Sequence, residues 1–224
     1  MAGLICLLAS LPTRSAEADF DDFVVRVYRG APETVSAIGV AGNAGIYLGE
    51  GLVLTAAHVS GSPGDKTPLG IAVEDRLVPA RFIKAGRYEE TDISLLAVDL
   101  AALPSGLRSR QAPAFCPTRL LPGQAAVIAS FARIDRSSIV SYAAMPAGVP
   151  ARFDSLIRDV YSTGDSGSGV FDPIRRCLAG IISRRIEILP EKNSGKAPIG
   201  LAKYYVPADE IIAFLGAALP RGAR

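Results

Sequence analysis

Residues 164–169, Gly-Asp-Ser-Gly-Ser-Gly, place a serine inside a glycine-rich turn. A serine hydroxyl is a weak nucleophile at neutral pH and needs a neighbouring general base, which is most often histidine. The chain has a single histidine, His58, which follows the apolar stretch Leu-Val-Leu-Thr-Ala-Ala. We therefore predict that His58 activates Ser166.

A third group must orient the imidazole, and a carboxylate at the start of an apolar strand is suited to this because the strand buries it. Asp92 is such a carboxylate, since Ile-Ser-Leu-Leu-Ala-Val follows it directly. Other acidic residues between His58 and Ser166 lie in polar or turn-like settings, among them Asp65, Asp75, Glu89 and Glu90. Asp92 is the best candidate for the orienting residue.

The order histidine, aspartate, serine along the chain argues against an α/β-hydrolase, in which the histidine comes last. No histidine follows Ser166. The serine turn also departs from the G-x-S-x-G elbow of those enzymes, because its fifth residue is Ser168. An esterase or lipase of that class is disfavoured.

Three blocks of the chain, around His58, Asp92 and Ser166, resemble the signature blocks of trypsin-like (chymotrypsin-fold) serine proteases. The resemblance runs from about Phe23 to the C-terminal helix, and the serine block is similar to that of compact bacterial secreted members. It implies an all-β fold of two six-stranded antiparallel β-barrels with a short C-terminal α-helix. It also implies a serine endopeptidase whose oxyanion hole is formed by the N–H groups of Gly164 and Ser166.

Each block also has a purely structural interpretation. The serine block has the composition of an ordinary turn. A histidine after two alanines is often a buried residue without a catalytic role, and Asp92 is equally suited to begin a strand. Three such coincidences in this order are improbable together. The remaining alternative is a catalytically silent protease homologue that acts as a binding module.

Short apolar runs separated by turn residues predict ten strands, and the resemblance assigns them to two barrels. The predicted domains are residues 19–108 with His58 and Asp92, residues 109–206 with Ser166, and a helix and tail at 207–224. The strand predictions are 23–28, 46–48, 52–55, 77–84 and 93–100, then 124–130, 138–143, 169–171, 178–184 and 200–206.

The N-terminus resembles a secretory signal peptide, predicted at residues 1–18, with an apolar run and a small-x-small cleavage site. We therefore expect a secreted or periplasmic protein, in which disulfides persist. Removal of Cys6 with the signal would leave Cys116 and Cys177. These two form a disulfide or remain two separate buried thiols.

The formal charge of +2 gives no indication of a nucleic-acid or membrane partner. The resemblance implies a protein or peptide substrate, and we expect a monomer. One histidine and two cysteines do not supply a His/Cys zinc site. No cofactor and no metal are expected.

The resemblance assigns the substrate cleft to Val160, Ser183, Arg184, Arg185 and Gly200. Valine stands at 160, where trypsin carries its aspartate, so a preference for Lys or Arg substrates is not supported. Guanidinium groups bind carboxylates well. The two arginines therefore either favour an acidic or polar side chain near the scissile bond or point to solvent.

In the trypsin branch, the aspartate before the nucleophile pairs with a newly freed N-terminal Ile-Val-Gly-Gly. Here that aspartate is Asp165, and no such sequence follows the predicted signal peptide. Asp165 must find another partner, such as an arginine or the amine of Asp19, or simply accept hydrogen bonds. We expect removal of the signal alone to yield active enzyme.

Overall fold

The computed structural model describes residues 18–30, 43–73, 76–131, 133–158, 165–188 and 199–220. Nearly all of the predicted signal peptide, as well as Val160 and Gly164, lies outside these residues. Among the described helices, none has the length and apolar character needed to cross a bilayer.

Six antiparallel strands form a first closed barrel in the order β1-β2-β3-β6-β5-β4. Pairing of β1 with β4, in which Val27 lies opposite Ile71, closes the cylinder. The strands are β1 (Val24–Arg29), β2 (Asn43–Tyr47), β3 (Leu52–Thr55), β4 (Leu69–Val73), β5 (Arg76–Ala85) and β6 (Ser94–Val98).

A second closed barrel has the order β10-β11-β12-β9-β8-β7, and β10 pairs with β7 to close it. Its strands are β7 (Ala125–Ala129), β8 (Ile134–Val140), β9 (Leu156–Arg158), β10 (Gly169–Asp172), β11 (Cys177–Ile188) and β12 (Ile199–Pro207). The expected fold class, two six-stranded antiparallel barrels with a C-terminal helix, is confirmed.

Helices are short and connect or flank the barrels. They are α1 (Ala18–Asp21), α2 (Ala57–Ser60), α3 (Ser105–Arg108) and α4 (Ala208–Leu215). Single 3₁₀ turns lie at Leu100–Ala102, Tyr142–Ala144 and Gly216–Ala218. The predicted strand 138–143 was misplaced. Strand β8 begins earlier, at Ile134, and Tyr142–Ala144 forms a 3₁₀ turn.

One apolar cluster joins the two barrels. It includes Ile46 and Leu54 from the first barrel and Phe171 and Leu178 from the second, all fully buried. Phe20 of α1 stacks on Phe171 with ring centroids 4.6 Å apart. Burying a side chain of this size stabilises a fold by about 1.5–3 kcal/mol, so the shared cluster holds the barrels in a fixed relation.

Two further links fix the second barrel. Cys116 and Cys177 form a disulfide, as one of the two sequence alternatives predicted, with Cα atoms 5.0 Å apart. Helix α4 is held by Arg119, whose guanidinium bonds Asp209 at 2.8 Å and Glu210 at 3.0 Å. Both links tie the C-terminal part of the chain to the segment that precedes β7.

Candidate active site

His58 is presented by α2, the single helical turn that begins two residues after β3 ends. Its backbone N–H donates to Asp92 Oδ1 at 3.0 Å. In the same turn, the Ser60 hydroxyl donates to Ser94 Oγ on β6 at 2.9 Å. The helix is therefore bonded both to β6 and to Asp92, two residues before that strand, which fixes the histidine beside the aspartate.

Three side chains from the two barrels meet at the cleft between them. His58 Nδ1 lies 2.8 Å from Asp92 Oδ2, and His58 Nε2 lies 2.9 Å from Ser166 Oγ. Both distances are within hydrogen-bond range. The structure thus brings together all three residues that the sequence predicts as a catalytic set.

Asp92 is fully buried. Besides the two bonds to His58, its carboxylate accepts a hydrogen bond from the Ser183 hydroxyl at 2.6 Å. These contacts hold the carboxylate in one orientation. Ser183, predicted as a cleft residue, thus lies beside the predicted aspartate.

The backbone on the C-terminal side of Ser166 is held by both barrels. The carbonyl of Ser166 accepts from Ala44 N at 3.0 Å, and Gly167 N donates to Ile182 O at 2.8 Å. Gly167 has a φ of +84°, and a Cβ there would lie 2.0 Å from Ala44 O. Only glycine fits, because the turn that carries Ser166 runs directly against strand β2.

Comparison with known proteins gives structural matches only, since no family model and no curated protein sequence matches the chain. The active form of the Rv3671c protease from M. tuberculosis superposes with a TM-score of 0.61 at 17% identity, covering 94% of this chain and 86% of that one. Kallikrein-related peptidase 10 gives 0.57 at 20% identity, covering 88% and 94%. The MamO protease domain from Magnetospirillum magneticum gives 0.55 at 23% identity, covering 87% and 96%.

The chain has the chymotrypsin fold. The match covers 94% of this chain and therefore includes most of both barrels, in agreement with the sequence resemblance. At these identities the likeness concerns the fold, and the chemistry must be argued from the residues of this chain.

The arginines predicted for the cleft of this chymotrypsin-fold chain differ in their surroundings. The Arg184 guanidinium lies 3.9 Å from the ring centre of Tyr88 and 4.5 Å from that of Phe153. It also donates to the Tyr88 carbonyl. Arg185 is exposed, with Nη1 4.0 Å from Glu187.

Tyr88 is a site residue that the sequence analysis missed. Its ring meets the His58 ring edge-on, with centroids 5.3 Å apart, and the Arg184 guanidinium also lies against it. An aromatic residue four positions before Asp92, in a turn otherwise rich in charges, is the only signal in the sequence.

Asp165, the residue before Ser166, has a partner that the sequence analysis did not name. Its carboxylate accepts a hydrogen bond from Lys203 of β12, and Arg133 Nη2 lies 3.6 Å away. Lys203 is buried in the middle of the apolar run Leu-Ala-Lys-Tyr-Tyr-Val. A lysine in such an apolar run is the feature of the sequence that could have indicated this pair, because a buried ammonium requires an anionic partner.

The cleft beside Ser166 has a volume of about 510 Å³. Apart from His58, three basic and two acidic side chains line it: Arg184, Arg185 and Lys203, and Asp165 and Glu187. A second hollow of about 720 Å³ continues along β11 and shares Arg184, Arg185 and Glu187 with the first. Of the other predicted cleft residues, Gly200 pairs with Glu187 across β12 and β11.

Within the described part of the chain, one group of neighbouring side chains is of the types that ligate metal ions. It consists of Asp172 with Cys116 and Cys177. The two sulfurs are bonded to each other, so neither is a thiolate, which is the form that ligates metals.

Proposed function

We propose that this protein is a trypsin-like serine endopeptidase that hydrolyses peptide bonds through an acyl-enzyme intermediate. The observation that carries the proposal is the continuous chain of contacts from Asp92 through both nitrogens of His58 to Ser166 Oγ, at 2.8 and 2.9 Å. The structural neighbours named as proteases and a peptidase support it, because they share the fold that presents these residues.

In the proposed mechanism, His58 Nε2 takes the proton of Ser166 as Oγ attacks an amide carbonyl, and then gives it to the leaving amine. Asp92 stays ionised, holds the Nδ1–H tautomer and stabilises the imidazolium that forms. The tetrahedral oxyanion would be bound by the N–H groups of Ser166 and Gly164. Water then attacks the ester carbonyl, and the same histidine acts as base and acid in turn to free Ser166.

We further propose that the substrate carries an acidic side chain near the scissile bond. Two observations support this: the charged side chains that line the cleft carry one more positive than negative charge, and Arg185 is exposed. A substrate carboxylate would meet a bidentate donor there. Cleavage of a peptide library should favour acidic residues, and the preference should weaken in Arg185→Ser but not in Arg81→Ser, an exposed arginine of the first barrel. Cleavage after apolar residues alone would remove this part of the proposal.

Labelling with a fluorophosphonate probe tests the main proposal. Wild-type protein with its disulfide intact should be labelled, and Ser166→Ala and His58→Ala should not. Ser62→Ala, which removes an exposed hydroxyl in a turn, serves as the matched control and should label normally. No labelling of folded wild-type protein would instead support the binding-module alternative.

An extracytoplasmic location is supported by the Cys116–Cys177 disulfide, since such bonds persist in oxidising compartments. Export by the predicted signal peptide and a monomeric state remain parts of the proposal. Fractionation of cells that express the full chain, followed by N-terminal sequencing, would test the predicted start at Asp19.

A further inference from the structure

A lysine is buried where the fold offers it little water. Lys203 is only 4% exposed, and the neighbouring Ala202 and Tyr204 are buried as well. Transferring an ammonium from water into such a place is costly unless a carboxylate meets it. Burial of the Lys203 ammonium is therefore favourable only if an anionic partner compensates for the lost hydration.

That partner is Asp165, the residue that directly precedes the nucleophile. Lys203 Nζ donates to Asp165 Oδ2, and the carboxylate is 9% exposed. The second oxygen, Oδ1, lies 3.6 Å from Arg133, a residue whose Nε is bonded to Asp135 at 2.7 Å. Lys203 makes the closer of the two contacts with the Asp165 carboxylate.

The pair completes the support of Ser166. On the C-terminal side, the Ser166 carbonyl and the Gly167 N–H are bound by strands of the two barrels. On the N-terminal side, the side chain of Asp165 is bound to β12 through Lys203. Since the N–H and Oγ of Ser166 lie between these two attachments, a shift of residue 165 would move both.

We propose that Lys203 is a positioning residue that holds Asp165, and with it the nucleophile, in the reactive arrangement without a newly formed amino terminus. This rests on the proposed function. The role follows from the geometry: Lys203 lines the same cleft as Ser166, yet its ammonium is bonded to Asp165, whereas Arg185 is the exposed cation there. Lys203 thus acts on the backbone of the nucleophile and not on the substrate.

The test compares fluorophosphonate labelling rates of wild type, Lys203→Met and Lys66→Met, well below their melting temperatures. Methionine keeps the length of the side chain and removes the charge, and Lys66 is an exposed lysine that serves as the control. We expect Lys203→Met to label about a hundredfold more slowly, the cost of misplacing one oxyanion donor, and Lys66→Met to label like wild type. With an uncharged ester substrate, kcat should fall by a similar factor while KM stays unchanged.

A double variant separates positioning from simple stability. Lys203→Met leaves a buried carboxylate without its lysine, which lowers stability. Adding Asp165→Asn removes that charge, so the melting temperature should recover while labelling stays slow. Recovery of both in the double variant, or equal labelling of Lys203→Met and wild type, would overturn the inference and leave the proposed function standing. If wild type itself is not labelled, both fail.

The amino terminus is tested in the same assay. Full-length chain carrying a fused domain ahead of Met1 should label at the wild-type rate, with mass spectrometry showing that the labelled species keeps the fusion. Labelling that occurs only after the extension has been cut off would overturn the inference, because Asp165 would then need an amine that Lys203 does not supply.

Discussion

Replacing Asp92 by asparagine tests whether Asp92 orients His58, because both carboxylate oxygens face hydrogen-bond donors. Every contact to the Asp92 carboxylate comes from a donor: Oδ1 accepts from the backbone N–H of His58, and Oδ2 faces His58 Nδ1 and the Ser183 hydroxyl. An asparagine amide therefore turns its NH₂ toward at least one donor, whichever way it is placed.

The least costly relief is a change of histidine tautomer. If His58 moves its proton to Nε2, Nδ1 is able to accept from the asparagine NH₂, and the Ser183 hydroxyl is able to rotate. Nε2–H then faces Ser166 Oγ and does not take its proton. A wrong tautomer costs about 10⁴-fold in rate, which corresponds to about 5 kcal/mol of activation free energy.

The assay is the second-order rate of fluorophosphonate labelling at neutral pH, with circular dichroism to show that the variant is folded. Asp172→Asn is the matched control, since Asp172 is also a buried aspartate, but its Oδ1 accepts hydrogen bonds from the backbone N–H groups of Ile174 and Arg175 in the turn between β10 and β11. The control should label within about twofold of wild type. Labelling of Asp92→Asn within tenfold of wild type would refute the reasoning that Asp92 sets the tautomer.

Three further predictions concern the turn, the disulfide and a buried phenol. Gly167→Ala should abolish labelling, because its Cβ would meet Ala44 O at 2.0 Å and its φ is +84°; normal labelling would show that the turn is able to move. Changing Cys116 and Cys177 together to serine should lower the free energy of unfolding in urea by about 4 kcal/mol, the entropy of closing a loop between residues 61 apart, and a loss near zero would argue against that origin. Burial raises the pKa of Tyr205 to about 12, so this side chain favours the folded state below its ordinary pKa of about 10, and that contribution is lost as the pH rises toward 12. Urea unfolding between these pH values should show a steeper loss of stability in wild type than in Tyr205→Phe, and equal slopes would contradict the burial effect.

Strands were predicted correctly from the sequence where their apolar pattern and their length were typical of β-strands. The predicted strand 52–55 coincides with β3, because apolar residues and a following helix turn define it locally. Strands β4 and β9 were not predicted. Leu69–Val73 contains Gly70, which weakens a strand pattern, and Leu156–Arg158 is only three residues long. Both exist because neighbouring strands supply their hydrogen bonds.

The helix after β12 was expected from the resemblance, and the local sequence also favours it. Asp209 and Glu210 in the first turn and the apolar residues that follow are typical of an amphipathic helix start. The ion pairs from Arg119 that hold the helix in place involve a residue about ninety positions away, so no local pattern indicated them.

By itself, the sequence determined the candidate triad, its order and the pair of cysteines, because one histidine, one strand-initiating aspartate and one glycine-bounded serine leave few assignments. Only the tertiary structure decided that Asp165 is bound by Lys203 and that Arg184 lies on Tyr88 beside His58. The physical reason is that residue type and local periodicity fix what a group needs, such as a counter-charge for a buried lysine. Which group meets that need depends on how two closed barrels bring distant strands together.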